Sequence, residues 1–213
     1  RRIVAGRSCC NSIHRGFPLT EPTPVMVGAV LTGGASRRMG RAKALIELGG
    51  VPMARRVADA LEQAGCGSVI AYGGDRVELE PLGMPVLPDR HPGSGPLGGV
   101  LGALELFSES DLHIDGVFVV ACDLPALHGG DLAGLVDAMR SHRDVDVVVA
   151  RTARIEPACA IWMPRATERL RVMFDAGERA LHRAIERLES CAVEIEPAAV
   201  RNINTPDDLD RYA

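Results

Sequence analysis

Aromatic residues are scarce in this chain: Phe, Trp and Tyr make up 3% of its 213 residues. Proteins that grip single-stranded nucleic acid stack bases on aromatic side chains, and little here can serve that purpose. The cationic excess that sequence-independent nucleic-acid binding requires is also missing, since the formal net charge is −4. No apolar run approaches the roughly 20 residues that span a bilayer, so no membrane segment is expected. The six cysteines, Cys9, Cys10, Cys66, Cys122, Cys159 and Cys191, form no CxxC pair and no regular spacing. They read as reduced structural thiols of a cytoplasmic protein. Histidines are scattered without metal-ligand spacing, and neither a GxSxG elbow nor a Cys/His arrangement supports covalent catalysis.

What is present suits a packed domain. A content of 46% hydrophobic residues can fill a core, and 24% charged residues argues against a disordered chain. No internal repeat, low-complexity tract or linker divides the sequence, so one domain over residues 25–213 is the simplest organisation. Residues 1–24 hold three prolines and show neither helical nor strand periodicity. They read as a disordered extension, and without a long apolar stretch behind the arginines a secretory signal fits poorly.

The continuous apolar run "VMVGAVL", Val25 to Leu31, predicts a strand buried on both faces. A helix should follow Pro52 with Val51, Ala54, Val57, Ala58 and Leu61 as its apolar stripe, ending at Gly65. Strands are expected at Ser68–Tyr72, Met84–Pro88, Gly116–Cys122 and Val145–Ala150. Helices are expected at Val100–Phe107 and from Asp131, the latter burying Leu132, Leu135, Val136 and Met139. The segment from Ala153 to Met163 reads as a strand or hairpin outside the main rhythm. Two helices, near Arg165–Phe174 and Arg179–Leu188, come next. Near the end, Thr205 as cap, Pro206 and Asp208 make a good helix start. Alternating strands and helices predict an α/β, Rossmann-like three-layer domain on a mostly parallel sheet.

In such sheets ligands bind beyond the carboxyl ends of the strands. Three loops with chemical content fall there. "TGGASRRMGRAK", after the first strand, has glycines that let backbone N–H groups converge on an anion, with Arg37, Arg38 and Lys43 adding charge. It is neither a Walker A sequence nor GxGxxG, and its place after a buried strand is what favours phosphate binding. In "CDLP", Asp123 stands where an apolar strand runs out. It is suited either to hold Mg²⁺ against phosphate oxygens or simply to cap a turn. "DRHPGSGPLGGVLGAL" carries Asp89 and a glycine-rich helix start. The glycines suit tight helix packing or contact with a flat ligand ring, and Asp89 can accept from a base edge or ribose hydroxyls.

With "LTGGASRRMGRAKA", "GPLGG", "ACDLP", "AGER" and "NINTPDDL" together, the chain resembles the MobA family of molybdenum cofactor guanylyltransferases from about Val27 to Tyr212. The resemblance implies a nucleotidyltransferase joining GTP and Mo-molybdopterin into molybdopterin guanine dinucleotide and pyrophosphate with Mg²⁺. It also implies the proteins that insert the molybdenum cofactor as partners. Carried over by position, Leu31, Thr32 and Gly33 contact the nucleotide through backbone and Lys43 meets its phosphates, while Gly34, Arg37 and Arg38 complete the cradle read from the loop itself. Asp89 helps bind guanosine, Asp123 binds nucleotide and Mg²⁺, and Asn202 and Asn204 lie near the pterin or metal. Three departures stand out, the first being that Lys43 follows Gly40 after a shorter gap than in many members. Thr32 replaces the usual alanine, and "AYGGD" replaces an asparagine that contacts guanosine, leaving Tyr72 and Asp75 as substitutes. Rivals in the same class are a molybdopterin cytidylyltransferase and a phospholactate guanylyltransferase. A rival from another class is a catalytically silent nucleotide-binding module.

Overall fold

Strands that alternate with helices along the chain end up side by side in one sheet with helices on both faces. The computed structural model describes residues 24–33, 42–109 and 113–209. The expectation of a disordered start, and those for Gly34, Arg37 and Arg38, fall on residues outside that set. The strands are β1 (Met26–Leu31), β2 (Glu47–Leu48), β3 (Val51–Pro52), β4 (Cys66–Tyr72), β5 (Val86–Leu87), β6 (Gly116–Ala121), β7 (Val147–Arg151), β8 (Ile155–Trp162) and β9 (Ser190–Glu194). The helices are α1 (Met53–Gln63), α2 (Gly95–Ser108), α3 (Gly129–Ser141), α4 (Ala166–Asp175), α5 (Leu181–Ile185) and α6 (Pro206–Leu209).

Seven strands form the main sheet in the order β5-β4-β1-β6-β8-β7-β9, while β2 and β3 make a separate small hairpin. Every pairing in the main sheet is parallel except those of β8 with β6 and β7. The reason is local. Thr152 N–H donates to the Arg154 carbonyl at 2.8 Å, closing a turn too short for a crossover, so β8 must return antiparallel. This is the hairpin-like departure expected near Ala153.

The period-2 alternation of each strand divides its side chains between two cores. Val30, Phe118, Val120, Val148 and Ile161 face α1 and α3. Val27, Ala29, Val117, Val149 and Trp162 face α2, α4 and α5. Such doubly covered strands need apolar residues at every position, which is what "VMVGAVL" and "GVFVVA" supply. A third, smaller core joins Ile46, Met53 and Ile203, and it matters for the site because it gathers two distant segments, the β2–β3 hairpin and the chain before Asn204.

Candidate active site

Strands β4 and β6 flank β1, with α1 on one face of the sheet and α2 on the other, and the loops that follow these three strands share the sheet's carboxyl edge. The strand ends are tied together there by backbone hydrogen bonds. Thr32 N–H donates to the Tyr72 carbonyl at 3.0 Å, Gly73 N–H to Leu87 at 2.8 Å and Cys122 N–H to Leu31 at 3.2 Å. The Thr32 hydroxyl donates to the Gly73 carbonyl at 2.7 Å. The extra oxygen at this position therefore fastens the loop after β4 to the loop after β1. Gly73, at φ +84°, passes so close to Gly33 that a Cβ on it would sit 2.9 Å from the Gly33 Cα. Only glycine accommodates both constraints.

The phosphate-cradle and carboxylate loops meet. Lys43 opens a 3₁₀ turn, Lys43–Leu45, at the far end of the glycine-rich loop. Its Nζ donates to Asp123 Oδ2 at 2.8 Å and to Asn204 Oδ1 at 2.8 Å. The two charged side chains are mostly shielded, at 14% and 18% exposure. The small core explains the meeting: Met53 N–H donates to Ile46, fixing the hairpin behind Lys43, and Ile203 N–H donates to the Asp123 carbonyl at 3.0 Å. The anticipated cap is also present. The Asp208 carboxylate accepts from Asn204 N–H at 3.0 Å and from Thr205 N–H at 2.9 Å, while Asp208 N–H reaches the Thr205 hydroxyl. That box holds Asn204 beside Lys43. The Ala42 N–H just ahead of Lys43 is anchored on Glu78 Oε1 at 3.2 Å, a contact that nothing in the sequence pattern signals.

The second carboxylate oxygen of Asp123, Oδ1, is buried and finds no hydrogen-bond partner among the described residues. No cluster of three or more His, Cys, Asp or Glu that could hold a metal occurs among them either. A carboxylate with one oxygen to spare suits a hard cation such as Mg²⁺, which is usually bound through one or two protein carboxylates. The neighbouring Cys122 thiol is pushed up to about 12 by burial, so it stays protonated and is no nucleophile.

The third loop brings Asp89 to the same edge, its Cβ within 3.7 Å of where a Gly73 Cβ would stand. Asp89 Oδ1 accepts from His91 N–H at 2.9 Å. The loop is fastened at three points, to β4, to α2 and to the residue that follows α2. Tyr72 Oη accepts from Arg90 N–H at 3.0 Å, Arg90 pairs with both oxygens of Glu109, and His91 Nε2 meets Glu105 Oε2 at 2.9 Å. Tight packing, not a ligand ring, accounts for two glycines of α2. A Cβ on Gly102 would lie 2.1 Å from Tyr72 Oη, and one on Gly98 would lie 3.2 Å from the His91 Cβ. The substitutes suggested for the missing asparagine are otherwise engaged. Tyr72 is buried with its hydroxyl on Arg90, burial driving its phenol above the usual range, and Asp75 Oδ1 accepts from Val77 and Glu78 N–H. Arg179 of "AGER" lies over the Phe174 ring, 3.9 Å from its centroid, and Asn202 sits half-buried just before Ile203.

A mostly parallel sheet whose strand ends bring Lys43, Asp123 and Asp89 to one edge has the layout of a nucleotide-handling α/β enzyme. Residues 28–194 match the MobA-like NTP transferase domain. The chain is 34% identical over 188 residues to the molybdenum cofactor guanylyltransferase of Cereibacter sphaeroides, covering 87% of this chain and 94% of that one. It is 31% identical over 188 residues to the guanylyltransferase of the same name from Rhodobacter capsulatus, with the same coverage. Among solved structures it is similar to molybdopterin-guanine dinucleotide biosynthesis protein A of Archaeoglobus fulgidus. The TM-score is 0.69 at 26% identity, over 88% of this chain and 96% of that one. The chain belongs to the MobA-like NTP transferase family and is a nucleotidyltransferase.

Proposed function

We propose that this enzyme transfers GMP from GTP to the phosphate of Mo-molybdopterin, releasing pyrophosphate and giving molybdopterin guanine dinucleotide. The observation that carries the reading is the meeting of Lys43, Asp123 and Asn204 at the mouth of the crevice, where the first and sixth strands end. Relatives named for that reaction supply the choice of substrates.

A phosphate monoester is already a competent nucleophile, so no general base is demanded of the protein. Its task is to align two mutually repelling anions and to stabilise the departing pyrophosphate. Lys43 is placed to bring its ammonium to the triphosphate, with Arg37 and Arg38 of the same loop assigned beside it. The backbone N–H groups from Leu31 to Gly34 are assigned to the phosphates, and Asp89 to the guanosine. Mg²⁺ would be held by Asp123, whose unpartnered Oδ1 fits it. When bound it would supply neutralisation of the phosphate charge. Asn204 keeps Lys43 aimed across the crevice, and Asn202 is assigned to the acceptor side.

Substitution separates this role of Asp123 from a structural one. Asp123→Ala is expected to fold and lose pyrophosphate release. Asp131→Ala removes the carboxylate that caps α3 and accepts from His128 N–H at 2.9 Å. It should cost about 1 kcal/mol of stability and keep the activity. Equal activity in the two variants would sink the metal role. Because the loop after β4 offers mainly backbone, the assay is run with GTP, CTP, ATP and UTP. Preference for CTP would transfer the reading to a cytidylyltransferase.

A further inference from the structure

Glu105 is one of two charged residues buried in the described structure, and no part of the reaction above uses it. It sits in the apolar helix α2, one turn beyond Gly102, with its side chain 11% exposed. Both carboxylate oxygens are committed: Oε2 to His91 Nε2 at 2.9 Å and Oε1 to Arg171 Nη2 at 3.1 Å. The imidazole is held on its other side by Phe174, with ring centroids 4.8 Å apart. Gly98 leaves the space in which the two rings meet, since a Cβ there would come within 3.3 Å of Phe174. So the His91 side chain is braced by Glu105 and Phe174, and its backbone N–H is the group that holds Asp89 Oδ1. Burying a carboxylate in an apolar helix is costly unless it is fully paired, and here the pairing converges on one residue of the nucleotide crevice.

We propose that Glu105 is a positioning residue for nucleotide selection: through His91 it fixes the Asp89 carboxylate toward the base or ribose of the bound nucleoside triphosphate. The proposal rests on the nucleotide-binding role assigned to Asp89 above. The other buried carboxylate, Asp146, is paired with Arg165 and Arg169 at the opposite end of the sheet and serves as a contrast. Glu105 needs no contact with the nucleotide to do this. Its effect travels through one ring and one backbone N–H.

The test is a cycle of GTP titrations by calorimetry, well below every variant's melting temperature, on the full chain and on Glu105→Ala, Glu105→Gln, Asp89→Ala and Glu105→Ala/Asp89→Ala. Glu105→Ala is expected to raise the Kd for GTP about tenfold, the scale of one hydrogen bond to a charged group. Its kcat at saturating GTP should stay within about twofold, because an interaction shared by ground and transition states affects binding alone. Glu105→Gln, which keeps the volume and one acceptor, should recover most of the affinity. The double variant should bind no more weakly than Asp89→Ala, since Glu105 acts through it. Additive losses, or a fall in kcat with Kd unmoved, would overturn the proposal. An unaltered Kd in Asp89→Ala would overturn it too, while pyrophosphate release by the parent chain would leave nucleotidyl transfer standing. No pyrophosphate release from the parent with any nucleotide would instead remove the reading of function.

Discussion

Replacing Gly102 by Ala tests how tightly the Asp89 loop is mounted on the scaffold. A Cβ at this position would lie 2.1 Å from Tyr72 Oη, 3.1 Å from its Cζ and 3.3 Å from the Arg90 Cβ. Tyr72 has little room to retreat, being 2% exposed and paired through its strand with β1 and β5. Overpacking of this kind costs ~1–3 kcal/mol. Moving the phenol also gives up its hydrogen bond from Arg90 N–H, worth about 1 kcal/mol. Against these, alanine in a helix interior gains roughly 0.5–1 kcal/mol over glycine. The net expectation is a loss of about 2 kcal/mol, or a melting temperature lower by roughly 4–8 °C for a domain of this size. Gly130→Ala is the matched control. It also lies in a helix, but nothing comes within 4 Å of its would-be Cβ, so it should be neutral or slightly stabilising. Calorimetric melting of the three proteins reads the difference directly. A Gly102→Ala variant as stable as the Gly130→Ala one would refute the argument from close packing.

Lys43→Ala removes both 2.8 Å hydrogen bonds that join Asp123 and Asn204. GTP affinity by titration calorimetry should fall about tenfold or more, as expected for a lost charge-assisted contact; an unchanged Kd would count against the cradle. Burial holds the thiols of Cys66, Cys122 and Cys159 at about 12, far above the ordinary thiol range. At pH 8 only roughly one in ten thousand of each is thiolate, so iodoacetamide should leave all three unmodified in the folded protein and label them in urea. Rapid labelling of Cys122 in the native state, read by peptide mass spectrometry, would contradict its burial beside Asp123.

The parts of the fold readable from the chain were those in which one physical demand dominates. Strands covered on both faces must be apolar throughout, and the first and sixth strands, "MVGAVL" and "GVFVVA", are. Helix α1 carries its apolar stripe at the right spacing, and Gly65, at φ +99°, does stand just past its end. The ninth strand, Ser190–Glu194, escapes such reasoning. It lies at the sheet edge, where exposed Ser190, Ala192 and Glu194 alternate with half-covered Cys191 and Val193, and a five-residue alternation is a weak signal. Helix α2 begins at Gly95, well ahead of the expected Val100, because glycine is a poor helix former by propensity. Its glycines are there for what they touch, and contacts with Tyr72, His91 and Phe174 become apparent only once β4, the Asp89 loop and α4 are folded against the helix.

The site divides along the same line. Lys43 and Asp123 were legible because each stands at the end of a recognisable strand–loop unit, and topology alone brings those ends together. What lay beyond reach was the set of residues that aim them. Glu105 did leave a trace, as the single charge in "GPLGGVLGALELF", yet only the fold reveals that His91 and Arg171, 14 and 66 positions away, neutralise it. The missing asparagine after β4 leads to the same conclusion from the opposite side. Both residues put forward to replace it already carry local hydrogen bonds, Tyr72 Oη from Arg90 N–H and Asp75 Oδ1 within its own turn. In the proposed reading, base selection is then assigned to Asp89. A carboxylate given that task must be held still, because a freely rotating one would spend part of its hydrogen-bond energy on being ordered when the nucleotide arrives. The buried Glu105–His91 contact supplies that ordering before binding, and this is the physical reason to expect a charge in the core of α2 to govern affinity for a ligand it does not touch.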